Sequence, residues 1–232
     1  IPIRIVEKTE NQKATFISDI DGSVQYYSVL PPRDYDGKTP TGLFLSVHGA
    51  AVEAINQTGS YAPKTWGMVV SPTNRRPYGF NWEDWGRLDA MEVLQIAKSK
   101  YKIDESRVYL TGHSMGGHGT WHLGAMFPDQ FAAIGPSAGW ISFWSYRFRG
   151  QNVVDTSAVR KMIRRSTTPS ETMSFAENYK QQGVYVIHGE VDDNVRIDQA
   201  KMMIDRLKEI NHPDYQYHFQ PDANHWWDLS DE

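Results

Sequence analysis

The residues best able to do chemistry together are a serine, an aspartate and a histidine in the second half of the chain. Ser114 sits in Gly112-His113-Ser114-Met115-Gly116-Gly117. A strand-like run, Arg107–Leu110, leads in, and a helix-like stretch to Met126, stopped by Pro128, leads out. A serine on a sharp turn between a strand and a helix is exposed as a nucleophile. Glycine at 112 and 116 suits that turn, which has no room for neighbouring Cβ atoms. The following helix aims backbone N–H groups at an oxyanion formed beside the serine. A phosphate-cradling glycine loop is the rival reading, but no lysine follows the glycines.

A serine hydroxyl is a weak nucleophile at neutral pH. It needs a general base, and the base needs a third group to orient it. The apolar run Val184–His188 opens into Gly189-Glu190-Val191-Asp192-Asp193-Asn194-Val195. An acid in that loop stands at the carboxyl end of a strand. Asp192 and Asp193 compete for the role, and either could instead cap the helix that follows. Of the late histidines, His212 lies in an Asn-His-Pro turn and His218 within the strand-like run Tyr215–Phe219. His225 falls in the loop after that run, from which a base can reach Ser114. His48 and His113 flank the site by position, whereas His118, His122 and His188 read as structural. The oxyanion needs two donors. They are expected from the N–H of Met115 and from the loop His48-Gly49-Ala50-Ala51, with Ala50 ahead of Ala51.

Elements of one kind position these residues. Leu43–His48, Met68–Ser71, Val108–Thr111, Phe131–Ile134 and Val184–His188 read as strands, several apolar without alternation, as strands covered on both faces are. Between them, Leu88, Met91, Leu94, Ala97 and Tyr101 recur at helical spacing, as do Ile197, Ala200, Met203 or Ile204, Leu207 and Ile210. Ile3 to Val29 is more polar, turns at Asp21-Gly22, and reads as an antiparallel extension. The alternation implies an α/β fold with a mainly parallel sheet, whose sites form at the carboxyl ends of its strands. With no repeat or linker, residues 1–232 read as a single catalytic domain, with a lid-type insertion at about 137–182.

Composition narrows the function classes. The 232 residues are 40% hydrophobic and 22% charged, with a net charge of −4, which gives no electrostatic reason to expect nucleic acid. No apolar run reaches membrane-spanning length. The absence of cysteine excludes disulfides, thiolate zinc sites and a cysteine nucleophile. The histidines and acids do not fall at metal-ligand spacings, so no metal or organic cofactor is implied. The chain opens at Ile1 rather than methionine, which reads as a processed or trimmed end; a secreted or periplasmic location is favoured. Eight tryptophans and twelve tyrosines are many for this length and suit a cleft for a ring-bearing ligand.

These motifs together resemble the α/β-hydrolase superfamily, in its feruloyl-esterase-like and prolyl-oligopeptidase-like branches. They are His48-Gly49-Ala50, the Ser114 turn, His188-Gly189-x-x-Asp192 and the late His225, in the family's order over residues 48 to 225. Gly119-Thr120-Trp121 through Ile134 also resembles small bacterial esterase-like proteins and predicted peptidases. The resemblance implies that the acid is Asp192, the fifth residue of the H-G-x-x-D pattern. Prolyl oligopeptidases usually carry a Tyr-Gly-Gly segment whose tyrosine helps the oxyanion hole. Here the matching segment is Val47-His48-Gly49-Ala50, nearer the esterase pattern. The family's propeller has no counterpart in the sequence, and its usual final helix would lie beyond Glu232, so a fragment of a longer chain is expected.

The resemblance and the residues imply a serine hydrolase that cleaves a small-molecule or oligosaccharide ester, with acetyl or feruloyl esters of plant polysaccharide favoured. A peptidase acting on short peptides is the alternative, needing an acidic anchor such as Glu53 or Glu83. A non-catalytic binding domain of the same fold is the third reading. For substrate contacts, Arg75 or Arg76 would meet an anionic or sugar-like group and Trp82 or Trp85 would stack on a ring. Internal pairing of those arginines with Glu83, Asp84 or Asp89 is the competing expectation. Trp140, Phe143, Trp144, Tyr146 and Phe148 are expected to wall the acyl pocket, with Trp226 and Trp227 bordering the cleft. The basic run Arg160–Arg165 reads as a solvated helix face.

Overall fold

The computed structural model describes residues 6–7, 9–76, 79–147 and 157–227. An eight-stranded mixed sheet runs through it in the order β1-β2-β4-β3-β5-β6-β7-β8. In chain order the elements are β1 (Gln12–Ile17), β2 (Val24–Leu30), β3 (Thr41–Val47), α1 (Ala54–Gly59), β4 (Gly67–Ser71), α2 (Trp85–Lys100) and β5 (Ile103–His113). After them come α3 (Met115–Met126), β6 (Ala133–Ser137), α4 (Phe143–Arg147), α5 (Ala158–Ser166), β7 (Gly183–Gly189), α6 (Asp198–Glu209) and β8 (Tyr215–Gln220). This is the α/β-hydrolase architecture expected from the motifs.

β1 and β2 form the antiparallel hairpin expected around Asp21-Gly22, and β2 runs antiparallel to β4. From β4 to β8 every pairing is parallel. β3 and β4 are buried almost throughout because both of their faces are covered, whereas β5, β6 and β7 alternate between buried and partly exposed residues. The edge strand β1 instead alternates, with Ile17 and Val24 of the hairpin facing solvent. β5 begins at Ile103, earlier than its apolar run suggests, because Ile103 pairs with Thr41 across a register shift and carries the polar residues 104 to 106 along.

α3 is buried along nearly its whole length and packs against β5 and β6, so it is a core element rather than a surface helix. Gly124 packs against Ile134, Gly116 against Val47, and Trp121 against the Tyr179 ring. From the central β3 the chain crosses towards β4 on one side, and from β5 it crosses towards β6 on the other. Such a reversal opens a crevice beyond the carboxyl ends of the two strands. Both the His48 loop and Ser114 emerge there. The segment between β6 and β7, expected as an insertion, holds α4, α5 and two 3-10 stretches, Thr168–Ser170 and Thr172–Gln181. Phe148 lies outside the described residues.

Candidate active site

Ser114 stands between β5 and α3 with φ 59° and ψ −119°, a strained backbone for a residue with a side chain. The turn is clamped from both sides: Ser114 N–H donates to Ser137 O at 3.0 Å, and His118 N–H donates to Ser114 O at 3.1 Å. Gly116 has to be glycine. A Cβ there would run into the carbonyl of Val47, which the first turn of α3 crosses at close range.

His225 reaches this serine from the loop after β8. Its Nε2 is 2.9 Å from Ser114 Oγ, and its Nδ1 is 2.8 Å from Asp192 Oδ2. A carboxylate can only accept, so Nδ1 carries the proton and Nε2 is left to accept from the serine hydroxyl. The imidazole is almost wholly buried, as is the Asp192 side chain. Asp192 Oδ1 accepts the backbone N–H groups of Asn194 at 2.9 Å and Val195 at 2.8 Å. Burial works against its charge, but the contacts from His188 and His225 outweigh it and hold the carboxyl well below the usual carboxylate range. Gly189 lets the acid and base loops approach: a Cβ on it would strike the carbonyls of Ala223 and Asn224. Asp193 is exposed and lines the adjoining cleft without entering this chain of hydrogen bonds.

Two further histidines pack around the set. The His113 ring lies 4.8 Å from that of His225 and 4.9 Å from that of Trp226, with Nδ1 3.1 Å from Ser137 Oγ. Burial, and then the neighbouring His225, push the His113 imidazole down to about 4. His48 is fully buried, its Nε2 3.1 Å from Thr73 O and its Nδ1 2.9 Å from Gly49 O. The ring is therefore engaged with main chain and turned away from the cleft.

A cleft of about 1150 Å³ opens over Asp192, with Ala50 and Met115 in its lining. Trp140, Phe143 and Tyr146 form an aromatic wall, and the Trp140 and Tyr146 rings stack at 4.5 Å. Phe80 and Asn81 border it as well, as do Asn194, Gln199 and Met202. These last five escaped the sequence reading. Met202 is the most legible of them: with 198, 201 and 205 it forms a stripe opposite the apolar stripe of Ala200, Met203, Ile204 and Leu207.

Several expected substrate contacts are corrected. Trp82 is fully buried, and its Nε1–H donates to His48 O at 2.9 Å, so it supports the His48 loop from beneath. Arg75 is only 3% exposed and is paired with Asp21 of the N-terminal hairpin, not with Glu83, Asp84 or Asp89 through its guanidinium. The same guanidinium lies 5.5 Å from the centre of the Trp85 ring, which occupies that ring within the protein. Arg76 pairs with Glu53 at 3.4 Å. Trp144 donates to Thr167 Oγ1 at 2.6 Å and is flanked by Arg160 and Arg164, away from the cleft lining. Those two arginines of α5 turn towards Trp144, so the basic run is only partly the solvated face expected of it. Trp140 does line the cleft, and Trp226 stands 65% exposed against His225.

The family model for the prolyl oligopeptidase family matches residues 73–231, more than half of the chain. The chain belongs to the prolyl oligopeptidase family. Membership places it among the serine hydrolases of the α/β-hydrolase type. This family member is 28% identical over 240 residues to an uncharacterized secreted protein of Arthroderma benhamiae, covering 94% of this chain and 25% of that one. It is 26% identical over 251 residues to a "Probable dipeptidyl-aminopeptidase B" of Paracoccidioides lutzii, covering 96% of this chain and 26% of that one. It thus spans about a quarter of the length of these curated relatives. In fold it is similar to an S-formylglutathione hydrolase from Staphylococcus aureus, with a TM-score of 0.71 at 19% identity, over 94% of this chain and 92% of that one.

Proposed function

We propose that the chain hydrolyses a carboxylic ester through an acyl-enzyme on Ser114. The observation that carries this is the continuous hydrogen-bond chain from Ser114 through His225 to Asp192. Ser114 Oγ attacks the ester carbonyl while His225 Nε2 takes its proton. The tetrahedral oxyanion is held by the N–H groups of Met115 and Ala50, each donor contributing about 3 kcal/mol to the transition state. On collapse, His225 returns the proton to the departing alkoxide. Water, deprotonated by the same imidazole, then releases the acid and restores the serine. Asp192 holds the ring and stabilises the imidazolium.

Two features favour an ester over a peptide. At the position of the family's oxyanion-hole tyrosine stands His48, whose ring faces main-chain carbonyls, leaving the hole to backbone donors alone. The acids considered as anchors for a peptide amine are also engaged: Glu53 with Arg76 and Tyr26, Glu83 with His118 and Ser170. The stacked Trp140–Tyr146 wall suits a flat acyl group, which is why an aromatic ester such as a feruloyl ester of a polysaccharide is preferred. The peptidase reading is favoured by the family itself and by the relatives named dipeptidyl-aminopeptidase.

A rate panel separates them. An aryl acetate, methyl ferulate and an aminoacyl-proline anilide are each run with the parent and with Ser114→Ala. Serine-dependent cleavage of the esters without the anilide supports the esterase. Comparable anilide cleavage replaces it with the peptidase.

A further inference from the structure

His188 is the last residue before Gly189 on β7 and is 1% exposed. Its Nε2 lies 2.7 Å from Val195 O and 3.3 Å from Asp192 Oδ2. Both neighbours accept only, so Nε2 must bear a proton. Nδ1 is buried and has no hydrogen-bond partner among the described residues. Protonating it would bury a second, unsatisfied N–H, whereas leaving it as a bare lone pair costs far less. The geometry therefore fixes His188 as the neutral Nε2–H tautomer.

That one N–H joins two parts of the acid loop. It pins the carbonyl of Val195, whose own N–H donates to Asp192 Oδ1 at 2.8 Å. The same nitrogen stands 3.3 Å from Oδ2, the oxygen that also meets His225, close enough for its N–H dipole to act on the carboxylate. Three N–H groups, those of Asn194, Val195 and His225, bond the carboxylate, and the His188 N–H, bonded to Val195 O, stands beside them 3.3 Å from Oδ2.

We propose that His188 is a positioning residue of the reacting set: it holds Asp192 in register with His225 and draws part of the carboxylate's charge away from the imidazole. This rests on the reading of Ser114, His225 and Asp192 as that set. The ionisable groups facing His225 are Asp192, His113 and, across Asp192, His188. His113 stays neutral above about pH 4, so it does not shape the acid limb of the rate profile. Removing the His188 donor leaves more of Asp192's negative charge for His225, stabilises the imidazolium and raises the pH at which His225 becomes a base.

The test compares pH profiles of kcat/KM for aryl acetate hydrolysis in the parent, His188→Leu and His188→Gln. The glutamine amide restores a donor near the place of Nε2. His188→Leu should lose about tenfold in kcat/KM, with an acid limb displaced to higher pH by about 0.5. His188→Gln should return the limb towards the parent's. A rate loss with the limb unmoved, or no recovery in His188→Gln, overturns the proposal. Ser114→Ala is run beside them: if it keeps its rate, the underlying triad reading falls instead. Nitrogen-15 NMR of the unaltered protein needs no variant to fold. It should find His188 neutral and protonated at Nε2 throughout the titration of His225; an Nδ1–H tautomer, or titration of His188 in step with His225, contradicts the proposal.

Discussion

Nε2 of His225 lies 2.9 Å from Oγ of Ser114, although 111 residues separate them in the chain. Nothing local holds that distance. It depends on β7 and β8 lying side by side in parallel register and on the β5–α3 turn projecting Ser114 from the middle of the same sheet. The site is thus a property of strand order.

The choice between two adjacent acids is sharp. Asp192→Asn would place an amide against His225 Nδ1 and favour the wrong ring tautomer. It should lower kcat by about a thousandfold or more. Asp193, exposed at the cleft, should tolerate Asp193→Asn within about threefold. Steady-state rates on an aryl acetate decide it, and the reverse order would move the acid by one residue.

Gly116→Ala tests the crossing of α3 over β3. The added methyl would meet the Val47 carbonyl, which is backbone and cannot swing aside. Thermal or urea unfolding should show a loss of about 3 kcal/mol or more. A variant of parental stability would mean that the elbow is slacker than its geometry implies.

Asp89 makes the pH dependence of stability testable. It is completely buried, accepts the Arg75 N–H at 3.3 Å, and has no partner for Oδ1 among the described residues. Burial pushes its carboxyl up to about 6 from 3.8. Between those values the folded state binds more protons than the unfolded, so this group's contribution is full below the unfolded value and is lost as pH rises through about 6. Asp89→Asn imitates the protonated form. Its stability relative to the parent should improve by an amount on the order of 2 kcal/mol between about pH 4 and pH 7. Parallel melting curves at the two pH values would contradict this.

Trp140 should govern acyl preference. Trp140→Leu removes the ring stacked on Tyr146. The expected result is a KM for methyl ferulate raised about threefold to tenfold, with a smaller change for a short acetate. Equal effects on both esters would place the aromatic group elsewhere in the cleft.

The three side chains that the sequence singles out and the structure brings into contact share a physical reason. Ser114 and Asp192 follow strands with an apolar run, His225 follows the alternating strand Tyr215–Gln220, and parallel sheets collect strand ends on one edge. The glycines at 112, 116 and 189 mark the close approaches that make this possible. The loop after β4 did not read correctly. Arg75, Asn81 and Trp82 all adopt positive φ, which reverses side-chain direction from one residue to the next. Polarity therefore gave no guide to which side chains face out. Arg75 turned inward to Asp21 and Trp82 into the core, while Phe80 and Asn81 took the cleft. A partner 54 residues away in another hairpin leaves no periodic trace near Arg75. His188 reads as structural in the sequence, and only the turn that brings the Val195 carbonyl back to the end of β7 reveals what its N–H meets.

The account stands or falls on Ser114 as the activated nucleophile. The most direct measurement is labelling with a fluorophosphonate, followed by intact mass and peptide mapping. One adduct per chain is predicted, on Ser114, formed by the parent and lost in both Ser114→Ala and His225→Ala. An adduct on another residue, or undiminished labelling in His225→Ala, would contradict it.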